Sequence, residues 1–307
     1  MQGLRRPAGA PPTMPRRGGP VVKRPIPNVS KVIAVASGKG GVGKSTVAVN
    51  LAFALAMNHN AERQSKLRVG LLDLDIFGPS IPKLMGLDNA EEPHTTDSGA
   101  IIPLTNHGLP CMSMGFLLPR SSDASGSSVD TAVVWRGLMV QKAVQQLLFD
   151  VDWRNEASGQ GLDVLVIDMP PGTGDVPLTL GQLLTTCPGA VIVSTPQDVA
   201  LSDVRKGISM FRKVAVPISG LVLNQSFYTC PSCSTPHHIF GSADRFRKTA
   251  ADLDISILGE LPVLASVSES GDQGVPLVLR HSGRADLSPS EQQWSTTLNR
   301  VAECVLG

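Results

Sequence analysis

Two groups of residues in this 307-residue chain have types and spacings that could do chemistry. The first is Gly38-Lys39-Gly40-Gly41-Val42-Gly43-Lys44-Ser45, which fits the pattern G-x-x-x-x-G-K-[ST]. Glycines in such a loop let backbone N–H groups turn inward around phosphate oxygens, and the N-terminus of the following helix adds positive potential. Lys44 would neutralise β/γ-phosphate charge and Ser45 would ligate magnesium, so Gly38 to Thr46 reads as a Mg-ATP cradle. The second group is Cys230-Pro231-Ser232-Cys233, which puts two thiolates within reach of one metal.

One thiol pair is half of a four-ligand site. His237 and His238 follow closely, but the spacing leaves almost no chain in which to fold an intrachain zinc finger. An identical pair from a second subunit would complete four thiolates across a two-fold axis without strain. Such a site suits zinc or a 4Fe-4S cluster, and spacing does not choose between them.

Two acidic sites complete the phosphate machinery. Asp168 ends the apolar run Val164 to Ile167 and begins Asp-Met-Pro-Pro-Gly-Thr-Gly-Asp, where a carboxylate can hold magnesium through water. Asp73 and Asp75 end Leu71-Leu72-Asp-Leu-Asp. A carboxylate at a strand end is otherwise a turn-former.

These residues need strand ends to carry them. Lys31 to Ser37 is a continuous apolar, β-branched run, the mark of a strand covered on both faces of a parallel sheet. After the loop, Val47, Ala48, Leu51, Ala52, Leu55 and Ala56 recur at helical spacing. Further strands are predicted at Val69 to Leu74, Val164 to Ile167, Ala190 to Ser194, Gly220 to Leu223 and Ile255 to Leu258, with helices at Leu138 to Phe149 and Val199 to Val214. The alternation predicts an α/β fold with a doubly wound, mainly parallel sheet and ligands at the carboxyl ends of its strands. Ile101 to Phe116, with Gly108-Leu109-Pro110 between apolar runs, reads as a β-hairpin insertion, and Ser121 to Ser128 as a flexible loop. Trp294, Leu298, Val301 and Val305 form one stripe of a helix near 290–306 that docks on the domain.

Composition narrows the function further. Residues 1–61 carry nine Lys or Arg and no acid, leaving 18 basic against 26 acidic residues, a balance of −8, in the remainder. The seven prolines and four glycines of residues 1–30 prevent an amphipathic helix and predict a disordered basic leader, with one ATPase domain over 31–307 and a Cys-x-x-Cys loop near 225–241. An acidic folded part speaks against a nucleic-acid surface, and no apolar run approaches the roughly 20 residues of a membrane span. Five cysteines argue against a secreted disulfide scaffold, with Cys111, Cys187 and Cys304 read as core residues.

Lys39, beside Gly38, resembles the signature lysine of the deviant Walker A ATPases, the family of chromosome-partition, division-site, nitrogenase-iron and iron-sulfur scaffold proteins. The segments KGGVGKST, LLDLDIFGPSIPKLMG, VVWRG, DMPPGTGD, STPQD and CPSCSTPHHIFG are similar to its Mrp branch of iron-sulfur carriers. RPIPNVSKVIAVASGKGG, CMSMGFLLP and VVWRGL resemble most the mitochondrial nucleotide-binding-protein-like (NUBPL) subgroup. The resemblance implies a MinD/ParA-like P-loop fold and a homodimer in which Lys39 reaches the partner's phosphates. It places Asp75 in switch I against the attacking water, Gly172, Thr173, Gly174 and Asp175 in switch II, and Asn224 on adenine. It further implies slow ATP hydrolysis as a conformational switch and a 4Fe-4S cluster held between two subunits by Cys230 and Cys233. Recipients would be iron-sulfur apoproteins, subunits of respiratory complex I, in the mitochondrial matrix. Competing readings are a partition or division-site organiser, a zinc-bridged metallochaperone, and a GTP-using one, for which the specificity motif N-K-x-D is not present.

Overall fold

Eight strands form the sheet that carries the candidate residues, in a computed structural model that describes residues 23–60, 65–117, 121–122, 128–129, 137–185, 189–282, 284 and 286–307. In chain order the main elements are β1 (Val29–Ser37), α1 (Lys44–Met57), β2 (Val69–Asp73), α2 (Ile81–Leu84), β3 (Leu104–Asn106), β4 (Leu109–Ser113) and α3 (Gly137–Phe149). There follow β5 (Leu162–Asp168), α4 (Asp175–Leu183), β6 (Gly189–Ser194), α5 (Asp198–Lys213), β7 (Ile218–Leu223), β8 (Tyr228–Thr229) and β9 (Pro236–His237). The chain closes with α6 (Asp244–Asp252), β10 (Ile257–Glu260), α7 (Ala265–Asp272), α8 (Leu277–His281) and α9 (Pro289–Leu306).

The sheet order is β10-β7-β6-β1-β5-β2-β4-β3, parallel except where β3 runs antiparallel to β4. The buried runs Val32 to Ser37 and Gly189 to Ser194 explain why the central strands read as unbroken apolar segments: both of their faces are covered. β1 lies between β6 and β5, so the loop that leaves Ser37 is flanked by the ends of two neighbouring strands. Val35 is in register with Asp168, and Asp168 with Asp73, which puts two carboxylates side by side next to the glycine loop.

α1 is apolar almost all round because it is enclosed, packing on β1, β5, β2, α8 and α9. Its buried polar side chain, Asn50, is satisfied at both ends: it donates to Thr46 O at 2.9 Å and accepts from Val278 N–H at 3.1 Å. α9 presents Trp294, Leu298, Val301, Ala302 and Val305 to α1 and β10. A capping box of Ser288 and Glu291 starts that helix.

Several expectations are refined. The segment Ile101 to Phe116 is no separate insertion, since β4 joins the main sheet parallel to β2 and β3 only borders it. Within the segment read as leader, residues 23–30 belong to the fold: Ile26 is buried, Arg24 stacks on Phe149 and bonds Leu183 O, and β1 starts at Val29. Residues 1–22 lie outside the described residues, as do Cys187, Val133 to Arg136 of the VVWRG segment, and residues 123–127 of the Ser-rich loop, whose flanks Ser121–Ser122 and Ser128–Val129 pair. Cys111 is buried as expected, but Cys304 is exposed, because one position before Val305 it is turned about 100° off the buried stripe.

The docked helix makes a stability prediction. Trp294→Ala should destabilise the protein by ~3–5 kcal/mol in chemical denaturation, as truncation of a buried Trp does, while Cys304→Ser should stay within ~0.5 kcal/mol. Equal effects would place Trp294 outside the core.

Candidate nucleotide site and thiol hairpin

The glycine loop is fastened from both sides before any ligand is considered. Gly43, the residue before α1, is left-handed at φ 81°, and a Cβ there would come 2.3 Å from Asn224 Nδ2. That same nitrogen donates to Val42 O at 2.9 Å. Gly38 is required for a different reason: its Cβ would meet the backbone of Asp203 in α5 at 2.5 Å. Around Gly40 and Gly41 there is open space, where phosphate oxygens would sit. Asn224 also lines, with Gly43, Thr46, Gln225, Pro262 and Val263, a cavity of about 380 Å³ beside the loop.

Lys44 Nζ lies 2.5 Å from Asp168 Oδ1, both side chains buried, and donates to Ser45 Oγ at 3.2 Å. The other carboxylate oxygen, Asp168 Oδ2, is buried without a hydrogen-bond partner among the described residues. A buried orphan carboxylate oxygen next to a serine hydroxyl is a donor set that a hard cation or its bound water satisfies, so the residues present fit Mg²⁺. Burial pushes the Asp168 carboxyl up, against the opposing pull of Lys44.

Two more carboxylates crowd this point. Asp73 accepts from the backbone N–H groups of Asp75 and Ile81 and from the Ser113 hydroxyl at 2.9, 3.3 and 3.0 Å. Burial, with the neighbouring Asp168 charge, still pushes its pKa up to about 8. Asp75 is half-buried and raised by desolvation, while Lys44 and the N–H groups of Gly78 and Phe77 hold it down. Gly172, in the segment after Asp168, is left-handed at φ 85° and donates its N–H to Ser37 O at 2.9 Å, tying that turn to the start of the loop.

Lys39 does not point into open solvent. Its Nζ donates to Gln197 Oε1 at 3.2 Å, an oxygen that also accepts from Thr195 Oγ1 at 3.1 Å. Gln197 belongs to the STPQD segment and precedes α5, and the sequence alone assigned it no role.

The thiols stand apart from this buried charge cluster. β8 and β9 pair antiparallel, with Tyr228 opposite His237, and the turn between them carries both cysteines. Cys230 N–H donates to Thr235 O, and Ser234, left-handed at φ 57°, donates its N–H to Cys230 O. Cys230 is half-buried and Cys233 exposed. Thr235, its Oγ1 3.3 Å from Cys233 Sγ, holds that thiol below the usual cysteine range. The ligand atoms of Cys230, Cys233 and His237 all lie within 4.8 Å of one another. His238 turns the other way, its Nδ1 3.2 Å from Ser226 O and its ring edge-on to Phe227. Sequence spacing made an intrachain histidine look unworkable, yet the short ladder brings His237 alone back to the thiols.

The ParA family model described as "NUBPL iron-transfer P-loop NTPase" matches residues 28–302. The chain belongs to this family. Among NUBPL relatives, the mouse "Iron-sulfur cluster transfer protein NUBPL" is 51% identical over 261 residues, covering 85% of this chain and 74% of the relative. The "Iron-sulfur protein required for NADH dehydrogenase, mitochondrial" of Arabidopsis thaliana is 46% identical, covering 87% of this chain and 77% of the relative. The ADP complex of the nucleotide-binding protein from Archaeoglobus fulgidus superposes with a TM-score of 0.64 at 30% identity, covering 87% of this chain and 92% of that one.

The raised Asp73 gives a pH prediction. Because the fold binds this proton more tightly than the unfolded chain, its contribution to stability is full below the ordinary value of 3.8 and is lost as pH rises towards about 8. Asp73→Asn removes that titration. The stability of wild type minus that of the variant, measured by denaturation without nucleotide or magnesium, should therefore fall between about pH 5 and 8 by up to ~1.4 kcal/mol per pH unit. A flat difference would return Asp73 to ordinary titration.

Proposed function

We propose that this chain is a slow ATPase that, as a homodimer, holds one 4Fe-4S cluster between the Cys230 and Cys233 pairs of its two copies and passes it to apoproteins of respiratory complex I in the mitochondrial matrix. The observation that carries this reading is the combination in one chain of a phosphate loop, with Lys44 parked on Asp168, and an exposed thiol pair on a separate hairpin. The names of the mouse and Arabidopsis relatives support the cargo, the recipient and the compartment.

ATP binding replaces one buried ion pair by better partners. The phosphates draw Lys44 from Asp168; Ser45 would then hold Mg²⁺ directly and Asp168 through water, and the ion would supply positive charge to the phosphates. Adenine enters the cavity lined by Thr46, Asn224 and Pro262. Lys39 leaves Gln197 and crosses to the phosphates of the second copy, so nucleotide state and dimer geometry become one equilibrium. Asp75, raised by burial, orients the attacking water and takes its proton. At the hairpin, each thiolate that leaves an iron is replaced by a thiolate of the recipient, and the proton displaced from the incoming thiol ends on the departing cysteine. The cluster crosses without a change in its own electrons.

The nucleotide half is tested by three variants. Lys44→Ala should weaken ATP binding by about 10–100-fold, the worth of a charge-assisted contact, whereas Lys39→Ala should leave affinity within severalfold and slow hydrolysis. Asp75→Asn should bind ATP and hydrolyse it ~10²–10⁴-fold more slowly. Wild-type affinity and turnover in the two lysine variants would defeat the assignment.

The cargo half is tested by anaerobic reconstitution with iron and sulfide counts, Mössbauer spectra and subunit mass. Wild type should hold about four irons and four sulfides per dimer. Cys230→Ala and Cys233→Ala should lose both the cluster and the metal-dependent dimer, since a bridging site links the two. Reconstituted wild type that stays monomeric and carries no sulfide would overturn the reading.

A further inference from the structure

Three donors on one chain, Cys230 Sγ, Cys233 Sγ and a ring nitrogen of His237, lie within 4.8 Å of one another, and among the described residues they are the group so placed. A tetrahedral ion with bonds of about 2.0–2.3 Å to nitrogen and sulfur holds its ligands roughly 3.5–3.8 Å apart. Closing the observed spread to that value takes shifts of about 1 Å, within reach of side-chain rotation on an exposed turn. A 4Fe-4S cluster asks for something else: its cysteines bind different irons, with sulfides between them, and therefore stand further apart. The triad as arranged fits one ion.

The backbone is set for this before a metal arrives. Pairing of Tyr228 with His237 and of Thr229 with Pro236 fixes the histidine beside the turn, and the bonds Cys230 N to Thr235 O and Ser234 N to Cys230 O close the turn that holds the thiols. His238 is committed to Ser226 O, whereas His237 is exposed and its ring makes no hydrogen bond among the described residues.

We infer that Cys230, Cys233 and His237 of a single chain form a mononuclear site for a thiophilic divalent ion, Zn²⁺ or Fe²⁺, with its fourth position open to water or an incoming thiolate. The inference deepens the proposed function, resting on its reading of the thiols as metal ligands but not on the bridging cluster. Its consequence is a second metal state: one chain retains an ion without a partner. Because both states use the same two thiolates, an ion in this site and a cluster across the dimer exclude each other. Zn²⁺ would thus hold the chain out of cluster loading until a competing chelator removed it.

Co²⁺ is the probe, since its thiolate charge-transfer and ligand-field bands report the number of sulfur ligands and a tetrahedral field. Anaerobic titration of nucleotide-free wild type should give one Co²⁺ per chain with the mass of a monomer. His237→Ala should bind Co²⁺ at least about tenfold more weakly, because losing a direct ligand exceeds the 10–100-fold cost of losing an outer-shell partner. His237→Cys should restore affinity with stronger charge-transfer bands, and His238→Ala should match wild type. Thermal melts of the metal-free variants should be unchanged, His237 being exposed. Saturating Zn²⁺ should block reconstitution of the cluster in wild type. Wild-type Co²⁺ affinity in His237→Ala, or one Co²⁺ per two chains with four thiolates, would overturn the inference. The two proposals fail separately: His237→Ala that still takes about four irons per dimer keeps the carrier reading, whereas one Co²⁺ per chain in a protein that never takes sulfide keeps only this site.

Discussion

The ammonium of Lys44 and the carboxylate of Asp168 meet where almost no solvent reaches, and the arrangement of the sheet's carboxyl edge follows from that pair. Removing two charges from water costs several kcal/mol for each ion, and the attraction offsets it well only when the remaining donors and acceptors are also satisfied. Here, among the described residues, they are not, since Asp168 Oδ2 has no hydrogen-bond partner and Asp73 is pushed towards its neutral form beside it. Such a pair is a poor way to stabilise a fold and a good way to keep two charges ready for exchange. The strands set its geometry: Asp168 is level with Val35, three residues before Gly38 of the loop, and with Asp73 on the other side. A slip by one residue in either ladder would turn these carboxylates to the opposite face.

The distance between turnover and cargo is short along the chain. Asn224 ties β7 to the glycine loop through Val42 O, and its backbone N–H is bonded to Ser194 O of β6. Two residues later Ser226 donates its N–H to Leu261 O and its hydroxyl to Glu260, and its carbonyl faces His238 Nδ1. His238 sits at the end of the hairpin that bears the thiols. These contacts form a contiguous chain from Asn224 through Ser226 to His238. On the proposed function this chain joins the nucleotide loop to the hairpin that carries the thiols.

How much of this was legible in the sequence depends on whether a feature is local. The parallel strands and enclosed α1 were readable because burial on both faces leaves unbroken apolar runs, and the glycine loop because phosphate binding needs consecutive residues. The membership of β4 in the main sheet was not, since a strand beside a turn looks like half of an isolated hairpin until its parallel partner Val69–Asp73 is known. Gln197 was missed because its partner Lys39 is 158 positions away. The Asn224 bond to Val42 O, 182 positions apart, was hidden for the same reason, although the resemblance pointed to Asn224 for another role. The nearness of His237 to the thiols was not legible, because residue spacing does not show that a two-residue ladder returns the chain beside the turn. Cys304 shows the limit of apolar surroundings as a guide: on a helix a residue next to a buried one can still face solvent.

The contrast between the two sites bears on what each is for. At the glycine loop the charges are buried, so each contact made or lost on nucleotide exchange is strong and the states are well separated. At the hairpin residues 231–240 are all exposed and Cys230 is half-buried. On the proposed function, retention of a metal there rests on chelation, several donors on one short turn, rather than on enclosure. The Thr235 contact, by holding Cys233 below the usual thiol range, favours the thiolate that chelation requires without hiding it from a competitor. A site meant to keep its metal would bury these donors; a site meant to surrender it to another protein's thiolates is better served by being held through several bonds that can be exchanged one at a time.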